Sequence, residues 1–522
     1  MFNKIFKHSL QLNYNDFFII LLFLLFAVYS IFFGIEMMDS GFIISLSKKI
    51  ECGFEIYRDF DYVRPPISIY FWNLLLKPFW YFHDYVFLIS RVLVFIQFVI
   101  ISYNILSILK LDAQSSWIYL TIITVLSINI FPLMPWHTTD GLFFLSFAIR
   151  YLYFRKFILS LFFALLAFGI KQSFLIPFLM LLVYCVVQYK KLNFRENYWY
   201  VLVIAIFFIF INIYFNALDS LYYYKSSSSG QMSNFFKTGF QHFWNAFFIK
   251  RNLLFLIVGG GIVVFLKKKN IRNFIRIYLC ILLIYCFCLP PIFNLYYQLV
   301  NSNQHQYFNF DLFDNIFVIS IIYCIVELRF NFFTVFLMIC IWSLSISWGY
   351  NSIILGLSLL TIVYKNEVKY LFSNKITISV IIFIILSLRL TNTYGEENTF
   401  ISERLSRITN TPIISGIFTT VDKNNYINES KRIVEFYKNS IFVNCLVFGS
   451  AMYDEFPNRA VWEYDVESPN LDKDIALLQR NDVVYIIDKT RKHNSFHKST
   501  FSEEILSKKK LIKTTRYFEI YK

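Results

Sequence analysis

The sequence predicts a polytopic α-helical membrane protein with about 13 transmembrane helices, N-terminus inside and C-terminus outside, followed by a soluble α/β domain. Three observations predict it. First, the 522 residues are 57% hydrophobic, 21% aromatic and only 16% charged. A soluble chain carries roughly 25% charged residues, so a soluble multidomain enzyme is excluded. The high apolar content also excludes a disordered chain. Second, the charge is divided unevenly. Residues 1–390 carry 30 basic and 16 acidic side chains, a net of +14, while residues 391–522 carry 19 and 18, a net of +1. The last 132 residues are thus about 28% charged, which is ordinary for one soluble domain. Third, the cations of the apolar part fall mostly on alternate connections. The overall +15 is therefore a membrane signature, and no nucleic-acid partner is expected.

The membrane domain is read as residues 1–390. Its apolar runs lie at 17–35, 85–109, 116–132, 140–154, 157–170, 173–189, 199–215, 252–266, 277–292, 312–327, 331–347, 350–364 and 376–390. The first run is too long for a signal-peptide core and lacks a small-residue cleavage site, so it is expected to stay as an anchor. With the N-terminus inside, the inner connections hold Lys110, Arg155, Lys156, Lys190, Lys191, Lys267, Lys268 and Lys269, among others. The outer loops are longer and hold fewer cations. An odd number of spans puts residues 391–522 outside. In that domain, 442–448 and 483–487 read as strands, 430–439 and 472–479 as helices, and 511–521 as a closing strand. It contains no nucleophile elbow, P-loop or Rossmann fingerprint.

The first outer loop, residues 36–84, concentrates the polar chemistry. Asp39 follows the first span among apolar residues and ahead of Gly41, with Glu36 upstream. A partly desolvated carboxylate suits a general base; the alternative is a solvated helix cap. Next come Tyr57, Arg58, Asp59, Asp61 and Tyr62, then Arg64 before Pro65 and Pro66. Asp59 and Asp61 share one side of an extended chain and are the alternative ligands for a divalent Mg or Mn ion. Two carboxylates alone make a weak site, so no metal and no other cofactor is expected. Residues 67–82 are aromatic and uncharged until Lys77. They read as an interfacial segment with Trp72 and Trp80 in the headgroup belt, or alternatively as a re-entrant or spanning helix.

Two further outer connections stand out. Trp136, His137 and Asp140 lie between the third and fourth spans, where a cavity-lining role competes with a structural one. Lys171 lies in so short a connection between the fifth and sixth spans that it must sit at the membrane surface. A lysine there either snorkels or pairs with a lipid phosphate.

Together these residues resemble the GT-C superfamily of membrane glycosyltransferases, within it the protein mannosyltransferase and lipid A aminoarabinose transferase group. The resemblance rests on Asp39-Ser40-Gly41, on Gly53 to Phe60, on Arg64-Pro65-Pro66, on Arg91 in the second span and on Lys171-Gln172. The chain departs from the group in having Ser40 after the aspartate and Arg64 before the prolines. The resemblance implies an enzyme of the bacterial cytoplasmic membrane, its site facing the exterior or periplasm. It would be an inverting transferase moving a sugar from a polyprenyl-phosphate donor to a glycan, lipid or protein acceptor. Asp39 would be the catalytic base. Arg58, Arg64 and Lys171 would bind the donor phosphate. Glu36, Tyr57, Asp59, Tyr62, Trp136, His137 and Asp140 would line the sugar and acceptor subsites. The C-terminal domain would shape acceptor access. The competing readings are an O-antigen polymerase or ligase and a transporter or flippase. A transporter would carry more ionisable residues inside its spans or paired half-repeats.

Overall fold

The computed structural model describes residues 14–35, 41–56, 64–130, 133–189, 331–345, 356–365, 375–391, 401–409, 413–437, 440–443, 484–489 and 507–522, with the helical residues 206, 317, 320, 321 and 324. Among the described residues the protein is mostly helical. Helix α1 (Tyr14–Phe32) is followed by α2 (Phe42–Glu51), α3 (Ile67–Leu76), a 3-10 helix (Lys77–Tyr85) and α4 (Val86–Leu109). Then come α5 (Ala113–Ile130), α6 (His137–Tyr153), α7 (Phe157–Phe168), a 3-10 turn (Gln172–Phe174) and α8 (Leu175–Tyr189). After them run α9 (Phe332–Ser345), α10 (Leu357–Val363) and α11 (Lys375–Thr391). Helices α1 and α4 are long and apolar enough to cross a membrane, and shorter apolar stretches lie within α5, α7, α9 and α11. The expected spans at 199–215, 252–266 and 277–292, and most of 312–327, lie outside the described residues.

Sequence punctuation sets the helix ends. Helix α3 starts after Pro65 and Pro66, and α6 follows Pro135. Helix α4 runs 24 residues without Gly or Pro and stops at Lys110, which adopts the left-handed conformation typical of a helix stop.

A buried polar seam orders the bundle. Gln97 of α4 donates to Asp140 of α6 at 3.0 Å, Asn104 to Ser146 at 2.9 Å, and Arg150 to Asn104 at 2.9 Å. Further along, the Lys110 ammonium lies over the Tyr153 ring. Partners rise in number together, so α4 and α6 are parallel. Helix α5 returns beside them, with Thr124 donating to Ser102 at 3.1 Å. Helix α9 runs against α8: Ser173, just before α8, donates to the Ser343 carbonyl, and Tyr184 stacks on Phe332. Two ends result. One gathers Lys110, Arg155 and Lys156, all expected on the inner side. The other gathers Arg64, His137 and Lys171.

Residues 67–85 depart from the expected interfacial belt. Trp72 and Trp80 are buried rather than lying at the headgroups. Helix α3 turns one side to the protein, sending the Trp72 indole to Asp140, while Lys48 covers Trp80. The aromatic and aliphatic groups left exposed are Tyr70, Leu74, Tyr81, Phe82 and Tyr85.

Beyond α11 the chain forms β1 (Ser406–Arg407), β2 (Phe418–Thr419), α12 (Val421–Phe436), β3 (Ser440–Val443), β4 (Val484–Asp488), β5 (Leu511–Thr514) and β6 (Phe518–Tyr521). Strands β1 and β2 pair antiparallel, with Ser406 opposite Thr419. The other four form one sheet in the order β3-β4-β6-β5, where β3 and β4 are parallel and the β5–β6 hairpin closes the edge. Helix α12 begins nine residues ahead of the expected 430, capped by Thr420. The asparagines at 424, 425 and 428 read locally as loop, but burial of Tyr426, Ile427 and Ile433 recruits them into the helix. Tyr517 of the hairpin donates to Asp422 at 2.6 Å and fixes α12 to the sheet.

Residues 401–409 and 413–423 are fastened to the site end of the bundle. Buried Arg404 donates to the Tyr29 hydroxyl at 2.5 Å, and Phe33 forms a bridge with Phe418. The Ile413 carbonyl accepts from the Phe87 amide at 2.8 Å, satisfying one of the donors a helix start leaves open. Lys423 donates to the Ile35 carbonyl at 3.0 Å. Gly34, at a φ of 77°, ends α1; Arg91 donates to the carbonyls of Ile31 and Gly34 at 2.9 and 2.6 Å. The segment 36–40 therefore emerges from a firmly held point.

Candidate functional site

The site is built at the starts of α3 and α6 and at the connection between α7 and α8. The Ile67 amide donates to the Gly169 carbonyl at 2.9 Å, which ties the start of α3 to that connection. Here Arg64, Trp136, His137 and Lys171 meet. The Arg64 guanidinium lies 5.5 Å from the Trp136 ring centre and donates to His137 Nδ1. The rings of Trp136 and His137 are 4.2 Å apart.

Lys171 is 3% exposed, so its ammonium is buried at this end of the bundle. It donates to Thr138 Oγ1 at 3.2 Å and meets no carboxylate among the described residues. Burial, with the Arg64 charge added, holds its ammonium well below the ordinary lysine range. A buried ammonium near a second cation is costly unless an anion joins it. Phosphate, a good partner for both guanidinium and ammonium, fits that electrostatic demand.

Asp140 lies behind this cluster, in the first turn of α6, and is fully buried. It accepts from Ser68 Oγ at 2.5 Å, from Trp72 Nε1 at 3.0 and 3.1 Å, and from Gln97 Nε2 at 3.0 Å. One carboxylate thus joins α3, α4 and α6. Gly141 brings α6 close to the turn that carries Lys171: a Cβ there would sit 2.0 Å from the buried Phe174 ring.

Of the residues singled out in the sequence, the structure brings together Arg64, Trp136, His137 and Lys171, with Asp140 behind them. Glu36, Asp39, Tyr57, Arg58, Asp59, Asp61 and Tyr62 lie outside the described residues. Sequence reasoning missed Ser68, Trp72, Gln97 and Thr138. Gln97 carried a signal, being an amide inside an apolar span. Ser68 and Trp72 are four apart on one helix face. Among the described residues no group of three or more His, Cys, Asp or Glu side chains is placed to hold a metal.

No protein-family model and no curated relative matches the chain. Its structure is similar to two crystal structures of ArnT from Cupriavidus metallidurans. The form bound to undecaprenyl phosphate has a TM-score of 0.41 and 9% identity, covering 97% of both chains. The apo form has a TM-score of 0.41 and 10% identity, again over 97% of both chains. A likeness of this degree carries no functional assignment.

Proposed function

We propose that the chain is an inverting glycosyltransferase that moves a sugar from a polyprenyl-phosphate donor to an acceptor on the extracytoplasmic side of the membrane. The observation that carries this reading is the buried ammonium of Lys171 beside Arg64, with no carboxylate to neutralise it among the described residues. It supports a phosphate ligand at the same end of the bundle from which the Asp39 segment leaves α1. The motif resemblance supplies the reaction class.

In this mechanism the acceptor hydroxyl attacks the anomeric carbon from the face opposite the phosphate. Its proton passes to the Asp39 carboxylate. The bond from the anomeric carbon to the phosphate oxygen breaks, and the electron pair leaves with the phosphate. Lys171 and Arg64, with Arg58, stabilise the charge that develops there. Asp59 orients Arg58 or contacts sugar hydroxyls, and Tyr57, Tyr62 and Trp136 offer ring faces to the sugar. Glu36 contacts the acceptor. Asp140, with its oxygens engaged by Ser68, Trp72 and Gln97, serves as a positioning residue that holds α6 in register. An apolar groove of about 560 Å³ lined by Ile176, Leu179, Val183, Tyr184 and Phe332 starts five residues after Lys171 and suits a prenyl tail.

The experiment is turnover of a labelled polyprenyl-phosphate sugar by purified protein, with candidate acceptors, beside the Asp39→Asn variant. Release of polyprenyl phosphate by the wild type, lost in the variant, is expected. Vesicle uptake without bond cleavage would point to a transporter.

A further inference from the structure

His137 has two ring nitrogens in different circumstances. Nδ1 receives Arg64. A guanidinium keeps its protons and only donates, so Nδ1 must be the acceptor nitrogen. A neutral imidazole then carries its proton on Nε2. That nitrogen is fully buried and has no hydrogen-bond partner among the described residues. Burial of the ring, with the charges of Arg64 and Lys171 added, disfavours a second proton on it. The residue is thus a fixed, neutral donor with an unused N–H, held beside two cations. Trp136 covers one side of the ring at 4.2 Å, and the adjoining Thr138 hydroxyl holds Lys171.

We propose that His137 is a third ligand of the donor phosphate: its Nε2–H donates to a phosphate oxygen, while Arg64 on Nδ1 fixes the tautomer. This rests on the glycosyltransferase reading and deepens it. It also moves His137 from the sugar and acceptor subsites to the phosphate. An acceptor oxygen is what the N–H lacks among the described residues, and an anionic oxygen suits the buried Lys171 ammonium, which meets no carboxylate there. A sugar hydroxyl would satisfy the N–H but add no negative charge beside that ammonium. Held in this tautomer, His137 cannot act as the base that receives the acceptor proton.

The test separates the two nitrogens. Glutamine places its amide N–H near the position of Nε2, whereas asparagine mimics the Nδ1 side. Binding of polyprenyl monophosphate, the product without its sugar, would be measured on the wild type, His137→Gln, His137→Asn and Lys171→Met in detergent. His137→Gln should bind within a few-fold of wild type, while His137→Asn should weaken about tenfold or more, since a hydrogen bond to a charged group is lost. Turnover should follow the same split, as a raised KM for the donor with acceptor KM unchanged. The reverse order, with asparagine tolerated and glutamine not, would show that only the Arg64 contact matters and would overturn the inference. So would equal binding by both variants. If Lys171→Met binds polyprenyl phosphate as well as the wild type does, the glycosyltransferase reading itself fails, which is a distinguishable result.

Discussion

The two ends of the helical bundle bury charge in opposite ways. At one end, Asp16 of α1 and Lys375 of α11 pair, with Nζ 2.7 and 2.8 Å from the two carboxylate oxygens. At the other end, Lys171 lies within electrostatic reach of Arg64, a second cation, and donates to a threonine hydroxyl. The first arrangement neutralises both charges and ties α1 to α11. The second leaves a demand for negative charge. The contrast says where to look for a ligand: a neutralised buried pair is structure, whereas a buried ammonium that meets no carboxylate among the described residues is a place for an anion to bind.

Asp140 sharpens the comparison from within the site end. It is as buried as Lys171, yet three side chains satisfy it. Charge burial alone therefore does not separate ligand contacts from scaffold; the completeness of the partners does.

Several experiments would break or sharpen this contrast. The largest effect is expected from Asp39→Asn, which removes the base and should lower turnover by about 10²–10⁴-fold with donor binding retained. Lys171→Met should lower turnover by about 10²–10³-fold, because leaving-group charge loses its cation. The same variant should raise the melting temperature of the ligand-free protein, since a buried charge with no counter-ion among the described residues has been removed. At the opposite end the pattern should invert. Asp16→Asn should cost about 3 kcal/mol of stability by stranding Lys375, while turnover of the folded fraction stays within a few-fold of wild type. Gly141→Ala should weaken donor binding by pushing the Phe174 ring and the turn that carries Lys171, read as a raised donor KM.

The smallest effect is in pH dependence. Phosphate binding needs Lys171 charged, and its ammonium gives up its proton below the ordinary lysine value of about 10.4. Affinity should therefore fall as pH rises through that depressed value. Lys171→Arg should carry the fall beyond the accessible range, which a titration of polyprenyl phosphate binding would check.

Much of the helical layout was legible because apolar runs and Pro or Gly punctuation are local signals. Helices α1, α4, α6 and α7 lie where the hydropathy of the sequence puts them. The convergence of Arg64 with Lys171 was legible only through motifs, since 107 residues separate them in the chain. The role of Trp72 was not legible, and for Asp140 the structural reading stood beside a cavity-lining one without its partners being named. A tryptophan near a membrane surface suits a headgroup belt on composition alone, and only the packing of α3 against α4 and α6 turns its N–H inward. The start of α12 was hidden for a similar reason, as asparagines favour loops until tertiary burial of Tyr426 and Ile427 overrides them.

The central claim is that the cation pair at the site end binds a polyprenyl phosphate. The most direct measurement is equilibrium binding of polyprenyl monophosphate to purified wild type, Lys171→Met and Asp16→Asn, with an uncharged polyprenol as control. Wild type and Asp16→Asn should bind the phosphate but not the polyprenol, and Lys171→Met should lose the phosphate. Equal binding by wild type and Lys171→Met, or equal binding of phosphate and polyprenol, would contradict it.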